Sequence, residues 1–371
     1  MISSLTINNF KCFKESHFPL RSLTLLTGAN GAGKSSLIQS LLLFRQAENN
    51  SSLPPFVRLN GPDMLQLGQA SDVLHAQAED TVISVALTFE GYGVKILSFD
   101  AGDSESLYLN ASVGGTYPTQ VPLLPQSHYL NAERIGPRDT QELDSSPTPS
   151  LSVGAQGEFT AQVLAKRERE KIREDLCHPH TEREEPVRLL SKQVEFWMRD
   201  LIPNIEIRTE TFPGTNIAAL RLRKSGLKTE WLRAPNIGFG VSYALPIIVA
   251  GLLSPPGSLF MIENPEAHLH PAGQSRMGRF LATLAAGGVQ VIAETHSDHL
   301  LNGIRLAAVE PSHLLRHDQV IIHHFHGEED APELATAIEL TSSGKLTQWP
   351  TSFFDQSEKD LAAILKARRR E

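Results

Sequence analysis

The chain has 371 residues, with 34 Lys and Arg against 42 Asp and Glu, a formal net charge of −8 and a hydrophobic fraction of 40%. This fits one large α/β domain with an insertion, or two domains, around a sizeable core. The mildly acidic balance argues against nucleic-acid binding except by a local basic face, and two cysteines, Cys12 and Cys177, exclude a disulfide framework and fit a reducing cytoplasm. Met1 leads straight into an amphipathic strand rather than a signal peptide. The longest apolar run, Tyr243 to Leu253, contains Pro246 and is too short to span a bilayer. The expectation is a cytoplasmic protein with no membrane partner.

Ser4 to Phe10 alternates polar and apolar residues, as a half-buried strand does, and Lys11 to Pro19 predicts a second strand and a turn. Lys11 has two readings, a nucleotide contact and a solvated strand edge. Leu23 to Thr27 predicts a buried strand and Ser36 to Phe44 a helix. Between them, Gly28-Ala29-Asn30-Gly31-Ala32-Gly33-Lys34-Ser35 fits G-x-x-x-x-G-K-[ST]. Small residues there let backbone N–H groups cradle a polyphosphate, Lys34 adds charge at the β- and γ-phosphates, and the Ser35 hydroxyl suits Mg2+. The helix N-terminus points its dipole at the same anion.

A breaker-rich loop over 49–55 follows, then Gln66 and Gln69, each either a surface glutamine or, by resemblance to ATP-cassette-like enzymes, a lid glutamine that senses Mg2+ and γ-phosphate. Thr81 to Phe89 alternates strictly, and Lys95 to Phe99 and Leu107 to Val113 are expected to pair with it in an antiparallel lobe. Tyr129 to Arg134 returns to a strand closed by Gly136-Pro137. Arg134 reads as a phosphate contact, a partner contact or a structural salt bridge. Glu158 to Asp200 is helical in composition. Its charge run, Lys166 to Lys171, is a solvated face or a nucleic-acid strip, and Leu189, Val194, Trp197, Leu201 and Ile202 recur as core. No heptad pattern persists, so no long coiled-coil arm is expected.

Ile205 to Arg208 and Ala218 to Arg223 alternate as strands. Pro235 to Ser242 is a glycine-bearing loop that opens a helix, repeating the anion-binding logic of the first loop. Ser258 to Glu263 is a buried strand ending in an acid, the position from which a carboxylate orients the Mg2+ hydration shell. A helix over Gln274 to Ala285 follows, and then a parallel-type strand, Gly288 to Glu294, ends in Thr295-His296-Ser297, where a γ-phosphate would sit. In Val320 to His326, alternation sets His324 and His326 apart from His323. With no Cys or carboxylate to complete a set, this speaks against a metal site. Lys359 to Arg370 predicts a short helix with a basic end.

In this order the motifs resemble those of ATP-cassette (ABC) and SMC-like ATPases, and more narrowly the AAA-labelled bacterial group with ATPase heads of the overcoming-lysogenization-defect (OLD) type. Glu263 to Pro271, Glu294 to Ser297 and Gly344 to Gln356 carry the narrower likeness, the last being similar to an uncharacterised C-terminal domain. The fold implied is α/β, a P-loop NTPase of ABC-ATPase head type: a mixed-sheet core with an antiparallel β lobe and a helical insertion. The expected division is 1–140 for an N-terminal ATPase lobe, 141–204 for the insertion, 205–310 for a C-terminal ATPase lobe and 311–371 for a small cap.

The resemblance implies ATP and Mg2+ as ligands. Asn30, Gly31, Gly33, Lys34, Ser35 and Ser36 would bind the phosphates. Ser35 and Glu263, the Walker B acid, would hold the metal, and His296 would be the switch histidine. Gly238, Gly240 and Ser242 would form a signature motif that closes on the γ-phosphate of a partner head in a homodimer or higher oligomer. One departure stands out: Asn264 occupies the position where a glutamate usually polarises the attacking water, and an amide cannot accept its proton. Glu266 either takes over that role or anchors the following loop. The expectation is a slow ATPase. The alternatives are a non-hydrolysing ATP-dependent scaffold and a DNA-repair-type head that binds DNA itself. OLD nucleases carry an Asp-x-Asp metal site, and none follows His296 here. The resemblance therefore implies no built-in nuclease but a separately encoded effector, in a setting such as anti-phage defence.

Overall fold

Apolar runs of five or six residues become strands covered on both faces, and alternating runs become strands with one face exposed. In chain order the elements are β1 (Ile2–Phe10), β2 (Phe13–Pro19), β3 (Leu23–Gly28), α1 (Lys34–Asn49), β4 (Phe56–Arg58), α2 (Ala70–Val73), β5 (Val82–Phe89), β6 (Gly93–Asp100), β7 (Tyr108–Gly114), β8 (Ser127–Leu130) and β9 (Gln141–Glu142). There follow α3 (Thr160–Arg167), α4 (Leu190–Leu201), β10 (Ile205–Thr211), β11 (Ile217–Lys224), β12 (Leu232–Arg233), α5 (Phe239–Leu252), β13 (Leu259–Glu263), α6 (Pro271–Ala286), β14 (Gln290–Glu294), α7 (Asp298–Val309), β15 (Val320–Phe325) and β16 (Ala335–Glu339). The computed structural model describes residues 1–49, 55–114, 126–182, 187–224, 226, 230–310, 315–327, 334–350, 353–354, 359–361, 364 and 366.

The central sheet has the order β16-β15-β3-β14-β13-β8, parallel except for the edge strand β16. Its inner strands β15, β3, β14 and β13 are buried on both faces, as parallel sheets require, while the edge strands β16 and β8 are only partly covered. In β13, Phe260 and Ile262 enter one core with α4 to α7, while Leu259 and Met261 enter a second core with α1. That second core also receives the inner face of the antiparallel sheet β2-β1-β5-β6-β7-β4. The helix α1 thus lies between two sheets, with Leu37, Ile38, Leu41, Leu42 and Phe44 fully covered. A smaller antiparallel sheet, β10-β11-β12 with β9 on β11, packs with α3 and α4.

The helices begin and end for local reasons. Pro271 at the first turn of α6 starts it three residues before the apolar periodicity suggests, since its fixed φ already suits a helix. The Ser297 hydroxyl caps α7 by accepting from the Leu300 N–H. In α4, Leu190, Val194, Trp197, Met198 and Leu201 repeat at helical spacing and are buried, whereas the expected core residues Leu189 and Ile202 at its ends are only half-buried.

One expectation changes. The segment expected to be a C-terminal cap supplies β15, which pairs in parallel with β3, so it builds the central sheet rather than standing beside it. Its six residues are all buried, and its histidines are engaged separately: His323 with the Pro19 carbonyl at 2.8 Å, His324 against Phe353, and the next one, His326, with Thr336 at 2.7 Å. Among the described residues no group of three His, Cys, Asp or Glu is arranged to hold a metal. Residues 351–352 and 355–356 of the expected 344–356 signature, and most of the expected helix over 359–370, lie outside the described residues.

Candidate active site

Three parallel strands, β3, β14 and β13, end side by side, and their ends carry the candidate residues. Gly28 closes β3 at φ 124°, and a Cβ there would lie 2.1 Å from the Phe325 carbonyl oxygen of β15. Only glycine serves at that crossing. Gly33 (φ 109°) would carry a Cβ 2.7 Å from the Cys12 sulfur, so the loop is pressed onto the turn between β1 and β2. Asn30 and Gly31 stand exposed at the loop tip, Lys34 is buried, and Ser35 and Ser36 are half-buried in the first turn of α1.

Lys34 Nζ donates to the carbonyls of Gly28 at 3.1 Å and Ala29 at 2.6 Å, and lies 3.7 Å from Glu294 Oε1. Ser35 Oγ donates to Glu294 Oε2 at 2.8 Å. Glu263 ends β13 in register with Glu294 at the end of β14. Its Oε1 accepts from the Tyr129 hydroxyl at 2.8 Å, and Asn131 Nδ2 donates to that hydroxyl at 2.9 Å. Burial raises the pKa of Glu263 and Glu266, and burial followed by repulsion from Glu263 pushes Glu294 up to about 7. Burial lowers Lys34, with Glu294 acting against that shift.

After Glu263 the chain turns sharply. Asn264 takes φ 46°, a left-handed conformation that asparagine tolerates better than most residues, and its N–H donates to the Glu294 carbonyl at 2.9 Å. Glu266 Oε1 accepts from the His296 N–H at 2.8 Å. Its other oxygen, Oε2, and Asn264 Oδ1 are buried with no hydrogen-bond partner. Arg134, only 2% exposed, braces this turn by donating to the carbonyls of Asn131, Glu263 and Asn264, and its guanidinium lies 5.3 Å from the Tyr243 ring centroid of α5. Arg134 is therefore not a phosphate contact, and its donors go to carbonyls rather than to a salt bridge. The His296 ring is partly exposed, 4.0 Å from Glu294 Oε1, and burial and then Lys34 hold its pKa below the usual value.

The structure brings Gly31, Gly33, Lys34, Ser35, Glu263, Asn264, Glu266 and His296 to one end of the central sheet. Gly238, Gly240 and Ser242 lie on a different element: Gly238 (φ 102°) caps α5, and Gly240 and a buried Ser242 fall inside its first turn rather than in a loop. A Cβ at Gly240 would approach the His268 carbonyl at 3.0 Å, so α5 packs on the segment after the β13 turn. Lys11 donates to Gln39 Oε1 at 2.8 Å, Gln69 caps α2, and Gln66 is exposed on the surface. A separate cavity of about 640 Å³, lined in part by Arg45, Asn49 and Asp63, opens at the far end of α1.

Sequence reasoning missed Glu294 and Tyr129. The signal for Glu294 was present, because Val289 to Glu294 repeats the pattern of an apolar strand ending in an acid that singled out Glu263. Nothing local marks Tyr129, whose partner is 134 residues away. The donor set fits a hard divalent cation: a hydroxyl and buried carboxylates, all oxygen, with the carboxyl groups held at raised pKa as long as no positive charge offsets their burial.

Residues 1–196, more than half of the chain, match a family described as an AAA ATPase domain. This chain belongs to that family. Residues 166–302 of this AAA ATPase also match an AAA domain family described as a putative AbiEii toxin of a Type IV TA system, and residues 315–364 match a family described as a protein of unknown function. The OLD nuclease of Thermus scotoductus is 23% identical over 359 residues, covering 89% of this chain and 65% of that protein. The Old nuclease of Escherichia phage P2 is 22% identical over 341 residues, covering 81% and 57%. The chain thus spans less than two thirds of the length of either relative. Among solved structures, an SMC head bound to the C-winged helix domain of ScpA gives a TM-score of 0.54 at 15% identity, covering 92% of this chain and 97% of that one. The Smc head with an extended coiled coil, bound to the C-terminal domain of ScpA from Pyrococcus furiosus, gives 0.54 at 12% identity, covering 98% and 99%. These likenesses show the fold, a P-loop ATPase head of the ABC and SMC type. The protein is an ATPase related to OLD proteins. Among the described residues no helix is long and apolar enough to cross a membrane.

Proposed function

We propose that this ATPase binds ATP with Mg2+ at the ends of β3, β13 and β14, hydrolyses it slowly, and uses the bound γ-phosphate to join two copies of the chain. The backbone from Asn30 to Ser36 wraps the phosphates, and Lys34 exchanges its carbonyl partners for the β- and γ-phosphate oxygens. Ser35 and Glu263 would hold Mg2+, which would supply charge neutralisation on those oxygens. The observation that carries the hydrolytic step is the pair of buried, unpartnered acceptors, Glu266 Oε2 and Asn264 Oδ1, beside the end of β13. Asn264 orients a water and Glu266 takes its proton. The water oxygen attacks the γ-phosphorus, the bond to the β–γ bridging oxygen breaks, and ADP and phosphate leave. His296, neutral at pH 7 in this reading, touches the γ-phosphate.

Gly238, Gly240 and Ser242, on α5 and apart from the phosphate loop of their own chain, would act on the nucleotide of the second copy. The exposed Phe239 at the start of α5 supports that face as the contact. Association on ATP and release on hydrolysis would control an effector, for which the names of the two relatives suggest a nuclease, in a role such as anti-phage defence. Phosphate release by wild-type, Lys34→Ala and Glu266→Gln proteins tests the site. Wild type should exceed both, Glu266→Gln falling by about 100-fold or more while still binding ATP. Equal rates for wild type and Lys34→Ala would refute the site assignment.

A further inference from the structure

Resting on that reading of the site, Glu294 is a buried acid still without a role. It stands between Lys34 and Ser35, the two side chains of the phosphate loop that a nucleotide and its metal require. It is 6% exposed, and its strand holds it there from both sides. The Thr295 N–H donates to the Leu26 carbonyl at 3.0 Å, and the Asn264 N–H donates to the Glu294 carbonyl at 2.9 Å. The backbone therefore cannot carry the carboxylate away when a ligand arrives. Glu263 is its neighbour in register, and Lys34, the lysine at its carboxylate, also serves two loop carbonyls. The Arg134 guanidinium is committed through both terminal nitrogens to the carbonyls of Asn131, Glu263 and Asn264.

A bare triphosphate placed on this loop would set several negative charges beside Glu294 and Glu263 in a buried site, where such charges are weakly screened. It would also have to take Ser35 and Lys34 from an internal anion. We propose that Glu294 makes nucleotide binding conditional on a divalent cation: in the free protein its carboxylate holds Ser35 and Lys34, and in the loaded protein the same carboxylate stands with Glu263 on the cation side. Glu294 is thus a positioning residue for the metal-nucleotide pair, and it discriminates ATP with Mg2+ from metal-free ATP.

The test is equilibrium binding of a fluorescent ATP analogue to the full chain, wild type and Glu294→Gln, in excess Mg2+ and in excess EDTA. Wild type should bind far more weakly in EDTA, and Glu294→Gln should shrink the ratio of the two dissociation constants by about tenfold or more. A ratio unchanged by the substitution overturns the proposal. Glu294→Ala removes the same charge with a different side chain, so if one variant fails to fold, the other still decides the question. Failure of wild type to bind in Mg2+ overturns the nucleotide reading itself, and this inference with it. Binding in Mg2+ with the same EDTA ratio in wild type and both variants overturns only the role of Glu294.

Discussion

Asn264 holds a backbone turn and, in the proposed reaction, would orient the attacking water as well. Its left-handed conformation lets the chain turn at the end of β13 and donate to β14, and its buried side-chain oxygen has no hydrogen-bond partner. Asn264→Gly keeps the backbone and removes the amide, so ATP binding should persist while turnover falls by about tenfold. An unchanged turnover in a steady-state phosphate assay would show that the amide is not used. His323 gives a different expectation. Burial holds its pKa below the ordinary value of 6.5, with Arg21 and His17 adding to that shift and the Pro19 carbonyl opposing it. The unfolded chain therefore takes up a proton before the folded one does. The associated stability is complete above about pH 6.5 and is lost as pH falls below it toward the depressed folded value. In thermal unfolding from pH 7.5 to 5, His323→Asn should flatten that fall; a wild-type slope in the variant would refute it. At this scale the sequence showed Lys34, Ser35 and Glu263 through spacing and strand ends. It concealed the pairing of Ser35 with Glu294 and of Tyr129 with Glu263, because register between distant strands decides them.

Elements were legible where periodicity was clean. The alternation of residues 81–89 became β5, with β6 and β7 beside it, and the loop-strand-helix pattern around Gly28 to Ser35 became β3 and α1. The placement of β15 was not legible, since an apolar strand late in the chain carries no mark of its neighbour. That neighbour is fixed by the close approach of Gly28 to Phe325. The same economy of space joins α6 to α7. A Cβ on Gly303 would lie 1.9 Å from the Ser275 carbonyl oxygen, and one on Gly278 would lie 2.2 Å from that of Leu300. Gly303→Ala must push the helices apart, and a loss of about 3 kcal/mol or more is expected in denaturant unfolding. A loss within experimental error would mean that the two helices are not held at this distance. Arg134 ties elements together as well, linking the β13 turn to Tyr243 on α5. Its place between motifs was visible in the sequence, but its burial was not.

At the scale of the molecule, α1 lies between two sheets and carries the phosphate loop at its N-terminus, while α5 presents Gly238 and an exposed Phe239 elsewhere on the surface. If the γ-phosphate is bound and cleaved between two copies, then blocking cleavage should trap the pair. The direct measurement is the light-scattering mass of the Glu266→Gln protein with ATP and Mg2+ and, separately, with ADP and Mg2+. The expected result is twice the mass of one chain with ATP and a single-chain mass with ADP. The same mass with both nucleotides would contradict the account.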